Sequence, residues 1–250
     1  MPLTKSKSSA LEVSDRWHTG AVAVERVSRA EARVAQVAAI KAVARQLIAE
    51  RGVAGLSLRE VSRELGMVSS ALYRYFATRD ELLTALIIDA YSDLGTAVEQ
   101  AEAKVKRTDF RKRWRATCRA VRAWALENPN EYALIFGTPV PGYQAPLDTV
   151  VLATRVPAVM GSILRNALEA APAPASAPPA RAQSFLDVGS IEAVMPGVDS
   201  AHYVPALMVW TYIFGHLNFE LFGHHHGSVT NPDVMFDRVV EQLADFLDLP

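Results

Sequence analysis

Between Leu56 and Ile87 the chain reads LSLREVSRELGMVSSALYRYFATRDELLTALI, and few folds accommodate so many helix starts and stops in so short a span. Ser57 followed by Glu60 is a capping-box pattern: the serine hydroxyl accepts a first-turn amide that has no carbonyl partner, and the glutamate returns to the cap. Val61 and Leu65 give that helix a buried side, and Gly66 stops it after about two turns. A second short helix is predicted to begin near Val68 to Ser70 and to set Ala71, Leu72, Tyr75 and Phe76 against the first. Thr78 and Glu81 repeat the capping pattern and open a long helix through Leu82, Leu83, Leu86 and Ile87. Two short helices across a glycine turn, propped by longer ones on both sides, make a helix-turn-helix unit.

The surroundings of this unit are also helical. From Ala30 to Arg51, apolar residues recur three to four apart at Val34, Val37, Ala38, Ile40, Val43, Ala44, Leu47 and Ile48, one face of an amphipathic helix closed by Gly52. Residues 1–27 show no period and read as a flexible arm. Beyond Tyr91 every readable period is helical, and no alternating run bounded by turn pairs is found. The expected class is therefore all-α, with a three-helix helix-turn-helix domain over residues 28–76 and a larger helical domain over residues 77–250. Pro129, the segment from Gly137 to Pro146, and Pro157 mark loops or helix starts, and the Ala/Pro-rich residues 170–183 read as a mobile loop. The last two helices are expected near His202 to Phe222 and Pro232 to Leu247, the second capped by Asn231.

Composition limits the setting. Half of the 250 residues are hydrophobic and 21% are charged, the profile of a folded globular chain rather than a disordered one. Residues 1–85 hold 13 basic against 9 acidic residues, and the remainder 13 against 18, so the basic share lies with the helix-turn-helix. Cys118 is the single cysteine; with no partner for a disulfide and no apolar leader after Lys5 and Lys7, a cytoplasmic location is expected. The longest uncharged apolar stretch, Tyr203 to Phe214, is too short to span a bilayer.

A helix-turn-helix reads DNA because its second helix fits the major groove and presents its first residues to base edges, while flanking groups grip phosphates. Ser69 and Ser70 stand at that start, Tyr73 projects one turn later, Arg79 opens the next helix, and Arg59 on the first helix of the pair can fork onto a guanine edge. Arg26, Arg29 and Arg33 precede or begin the first long helix, where a solvated helix end and a phosphate or minor-groove contact are both open.

With Gly66, Leu72, Tyr73, Tyr75, Phe76, Arg79, Leu82 and Leu83 in place, the run resembles the DNA-binding domain of the TetR family of repressors. The resemblance implies phosphate contacts by Tyr73 and Arg79, with Tyr75 a further candidate, and base reading by Val68, Ser69 and Ser70 assisted by Arg59; Ser57 at the preceding cap is a further DNA-binding candidate. Where many relatives place Ser or Thr to cap the recognition helix, this chain has Val68, whose apolar side chain suits a thymine methyl. The stretches NPNEYALIFGTPVPGYQAP and WTYIFGHLNFELFGH resemble the ligand-binding domain of an actinobacterial TetR subgroup. That implies a homodimer joined through the last two helices, with Val209, Ile213, Leu217, Leu221, Val239, Leu243 and Phe246 as interface candidates. It also implies operator DNA as partner, repression by default, and a small, largely apolar effector.

Aromatic residues Trp124, Tyr132, Phe136, Tyr143, Trp210, Phe214 and Phe219 recur on the C-terminal helices. They are either core or, with His216 and Asn218, the lining of a small-molecule pocket; Trp124, Phe136, Tyr143, Trp210, Phe214 and His216 are the ligand candidates. His224, His225 and His226 read as a polar loop rather than a metal site, since consecutive imidazoles diverge. The nine basic residues from Lys104 to Arg122 fit a solvated helix face, or alternatively attract an acidic effector or flanking DNA. No phosphate loop, nucleophile elbow or metalloprotease pair is present, and Cys118 sits in a packed helical stretch, so neither catalytic residues nor cofactor are expected. The competing reading is a ligand or metal carrier that keeps a helix-turn-helix as scaffold.

Overall fold

The computed structural model describes residues 28–170 and 184–250. The arm at residues 1–27, including Arg26, and residues 171–183 of the Ala/Pro-rich segment lie outside them; Ala170 closes a helix instead of opening a loop. All the α-helices and short 3-10 turns among the described residues assemble without a strand.

Helix α1 (Arg29–Arg51) starts on a complete capping box, Ser28 Oγ accepting from Glu31 N at 3.1 Å and Glu31 accepting from Ser28 N at 2.7 Å. Its core face is narrower than the sequence suggests. Ile40, Ala44, Leu47 and Ile48 are buried, but Val34 and Ala38 are exposed, because the first turns of α1 project past the elements it packs on. Then follow α2 (Leu58–Glu64), α3 (Ser69–Leu72) and the long α4 (Arg79–Ala103). Ser57 and Thr78 cap α2 and α4 through Glu60 N and Glu81 N. Neither glutamate closes its box onto the cap amide: Glu60 pairs with Arg51 and Arg63, and Glu81 reaches Ala77 N, one residue earlier. Gly66 sits at φ +63°, a left-handed turn that a side chain would strain, so the break between α2 and α3 follows from this residue.

The C-terminal part consists of α5 (Phe110–Glu127), α6 (Pro129–Phe136), α7 (Asp148–Ala153), α8 (Arg155–Ala170), α9 (Val188–Val194), α10 (Tyr203–Leu221) and α11 (Pro232–Phe246). Two apolar cores result. One gathers Ile40, Leu47, Val61, Leu72 and Phe76 with Leu82 to Ile87; the other gathers Leu94 and Val98 with residues of α5, α8, α10 and α11. Helix α4 therefore serves both, its first turns in one core and its later turns in the other. The end of α6 and the loop after it lean on the first core through Leu134, Val140 and Tyr143, and Tyr143 Oη lies 2.8 Å from Thr84 Oγ1.

The basic run on α5 faces acidic residues of α10 and α11. Arg111 pairs with Asp245 and Glu241, Arg115 with Glu241, Arg119 with Asp237, and Arg122 with Glu220 and Asp233. Arg113 is fully buried, with Nε 2.5 Å from buried Glu102 and Nη1 donating to Asn166 Oδ1 at 3.0 Å and Arg107 O at 3.1 Å. Most of this row is thus paired with the protein's own carboxylates, in an exposed ladder with Arg113 as its buried member. Cys118 is buried beside it, and burial pushes its thiol far above the ordinary range, which suits packing rather than nucleophilic chemistry.

Candidate nucleic-acid interface and apolar cavity

Helix α3 is a single turn whose exposed side carries the residues expected at its start. Val68 is 71% exposed and caps α3 without a side-chain hydrogen bond, and Ser70 is also exposed. Ser69 Oγ stands 3.2 Å from Ser62 Oγ, whose own proton goes to Arg59 O, so Ser69 is oriented from below. Tyr73 is 48% exposed one turn on. Arg59 and Arg74 flank this patch and have no ion pair among the described residues. Arg74 lies between Tyr73 and Tyr75, and nothing in the sequence pattern marks it as a cation that the fold leaves without an ion pair. Tyr75 is half-buried and forms a platform under Arg33, whose guanidinium carbon lies 5.2 Å from the ring centroid.

Arg79, expected at a phosphate, is bound to the protein's own backbone. Its guanidinium donates to Leu56 O and Val53 O, both at 2.9 Å, tying the start of α4 to the loop before α2, while Nη1 faces Asp80 at 3.5 Å. The guanidinium is engaged with the scaffold that orients Ser57 and α2.

In the C-terminal part, α5, α8, α9 and α10 line a half-open cavity of about 290 Å³. Trp114, Met160, Leu164, Ile191, Met195 and Trp210 form most of its wall. Gly161 lets α9 approach α8: a Cβ there would meet Met195 Cγ at 2.6 Å. Of the six residues expected to bind ligand, Trp210 alone lines this cavity. Phe136, Phe214 and Tyr132 stack behind Trp210, with Phe214 4.3 Å from Trp210 and 4.2 Å from Phe136 between ring centroids. Trp124 is core; Tyr143 belongs to the first core; His216 is buried against His225 and Phe236. The cavity wall was not visible in the sequence because its Met, Leu and Ile residues look the same whether they face a partner helix or a void.

His216 has its pKa lowered by burial and then by neighbouring His225, which favours the neutral ring. Among the described residues no three potential ligands gather as a metal site would need.

The expected interface residues divide. Val209, Ile213, Leu217 and Val239 are buried within the protomer, Leu221 and Leu243 are half-buried, and Phe246 is exposed. The outward stripe of α10 lies on the neighbouring positions Met208, Tyr212, Phe219 and Phe222, spaced as one helix face. The division arises because α10 is apolar on all sides, so its periodicity leaves the inward phase open.

Residues 40–86 match the family model described as bacterial regulatory proteins, tetR family, and residues 114–243 match that of the tetracyclin repressor-like C-terminal domain. HTH-type transcriptional regulator Rv1816 of Mycobacterium tuberculosis and its counterpart Mb1846 of Mycobacterium bovis are each 39% identical over 230 residues, covering 88% of this chain and 95% of theirs. The solved structure of regulatory protein SCO4313 superposes with a TM-score of 0.72 at 33% identity, covering 87% of this chain and 99% of that one. The TetR family transcriptional regulator PfmR from Thermus thermophilus shares the fold, with a TM-score of 0.53 at 20% identity over 82% of this chain and 96% of PfmR.

Proposed function

The chain belongs to the TetR family of transcriptional regulators, and from that premise we propose that it is a repressor that binds a palindromic operator as a homodimer and is released by a small, largely apolar effector. The observation that carries DNA reading is the exposed patch of Val68, Ser69, Ser70 and Tyr73 between the unpaired cations Arg59 and Arg74. In this reading Val68, Ser69 and Ser70 meet base edges, Tyr73 and Arg74 meet phosphates, and Arg59 reads a guanine from α2. Ser57 and Arg79 hold the frame, and Tyr75 presents Arg33 to the backbone. Residues 28–76 act as the DNA-binding unit and residues 77–250 as the sensing and dimerising one, with α4 common to both.

One helix-turn-helix makes few contacts; two, about 34 Å apart in a symmetric dimer, read both halves of a palindrome. The apolar stripe of Met208, Tyr212, Phe219 and Phe222 on α10, with Phe246 on α11, supports the pairing surface. An effector in the cavity presses on Trp210, which leans on Phe214 and Phe136 at the end of α6. Helix α6 in turn contacts α1 through the Arg45–Glu131 pair at 3.6 Å. A ligand that binds better to the dimer with misplaced recognition helices lowers operator affinity by that difference.

The test is fluorescence anisotropy with duplex DNA from upstream of the gene, scanned for a symmetric site. Salt-dependent, sequence-selective binding with one dimer per palindrome is expected. Equal affinity for scrambled duplexes would favour the carrier reading instead.

A further inference from the structure

The cavity has a chemistry narrower than its apolar wall alone implies, and resting on its assignment as the effector site, we propose that it takes an amphiphile that carries no negative charge. The ligand's apolar body lies between the tryptophans, and its one hydrogen-bond donor sits against Ser190. Three observations lead there. The lining holds no charged side chain; its polar side-chain groups are the Ser190 hydroxyl and the indole N–H groups of Trp114 and Trp210. Trp114 already donates to Val240 O at 2.9 Å. A carboxylate carried into this lining would lose its water without gaining a counter-charge, and at the mouth it would face the Asp187 carboxylate, whereas an alkyl or aryl body loses nothing.

Second, Ser190 is exposed, which puts the hydroxyl at the mouth of the cavity rather than in its depth. Third, that hydroxyl is held by the cap of α9: Ser190 Oγ donates to Asp187 Oδ2 at 2.7 Å, and the same carboxylate accepts from Ser190 N at 3.2 Å. With its proton engaged, Oγ is left to accept, and the matching ligand group is an alcohol O–H or an amide N–H. At interior packing density a cavity of 290 Å³ holds about a dozen non-hydrogen atoms.

The experiment titrates the full-length protein by calorimetry and thermal shift with a matched set: 1-decanol, decanoate and decyl methyl ether. Saturable binding of decanol is expected, with decanoate at least about tenfold weaker. Ser190→Ala should weaken decanol about three- to tenfold and leave the ether, which has no donor, unchanged. Leu207→Lys, at a partly exposed lining position, should turn the preference toward decanoate. Decanoate binding as tightly as decanol, or no saturable binding by any of the set, overturns the proposal; an unchanged decanol affinity in Ser190→Ala overturns the role of that hydroxyl. Operator anisotropy separates the underlying reading: decanol that binds in the cavity but leaves operator affinity unchanged supports the cavity chemistry and overturns release by this site.

Discussion

Two arginine-rich surfaces of this protein look alike in sequence and differ in what their charge is free to do. On α5, arginines 111, 115, 119 and 122 recur along one face and meet a row of carboxylates on α10 and α11, while Arg113 turns inward onto Glu102. Around α3, Arg59 and Arg74 meet no carboxylate among the described residues. The denser run is internally neutralised and the sparser pair is open. Counting charge along a chain therefore says less about a polyanion partner than asking which cations the fold leaves without a partner.

The comparison can be broken most forcefully at Arg113. Arg113→Ala leaves the buried Glu102 carboxylate with only the exposed Arg107 as partner, and a loss of about 3–5 kcal/mol in urea unfolding is expected; a loss below 1 kcal/mol, about the scale of an exposed pair, would return Arg113 to the solvated class. Arg79→Ala comes next, removing two charge-assisted bonds to backbone carbonyls, with a stability loss of about 1.5–3 kcal/mol. Its salt slope for DNA should stay nearly unchanged; a drop of about one unit would instead make Arg79 a phosphate contact. Arg59→Ala and Arg74→Ala should leave the melting temperature alone. The first is expected to relax preference at one base pair by about 1–3 kcal/mol, and the second to weaken all sequences alike and flatten the salt slope by about one unit. Equal operator affinity in both variants would remove the patch from the interface.

The smallest effects belong to the exposed ladder. Arg119→Ala should cost about 0–1 kcal/mol and leave DNA binding unaltered. Asp237 and Glu241 are held below the usual carboxylate range, first by hydrogen bonds from Arg119 and Arg115. A depressed carboxylate contributes its stability in full above the unfolded pKa, about 4, and loses it as pH falls through the folded value. Denaturant midpoints should thus fall more steeply below about pH 4 in the wild type than in the double variant Asp237→Asn/Glu241→Gln. Parallel curves would show the ladder adds nothing that titrates.

Much of the DNA-facing region was legible because its signals are local. Ser57, Gly66 and Thr78 act on their own turn of chain, so their caps and break follow without tertiary information. The role of Arg79 was not local: it depends on carbonyls at Val53 and Leu56, more than twenty residues earlier, which no spacing rule reports. The cavity and the outward face of α10 were hidden for a related reason, since one apolar residue can fill a core, line a void or face a second subunit.

What the sequence by itself determined was the helical class, the helix-turn-helix and the residues at the start of its second helix, because periodicity, capping hydroxyls and a left-handed glycine are properties of adjacent residues. What only the tertiary structure decided was which groups remained available. Pairing consumed the charge of α5, packing turned Val209 and Ile213 inward and Met208 and Tyr212 outward, and the approach of α9 to Gly161 formed a cavity that no single segment contains. Availability is a relation between distant surfaces, and only the folded chain brings those surfaces together.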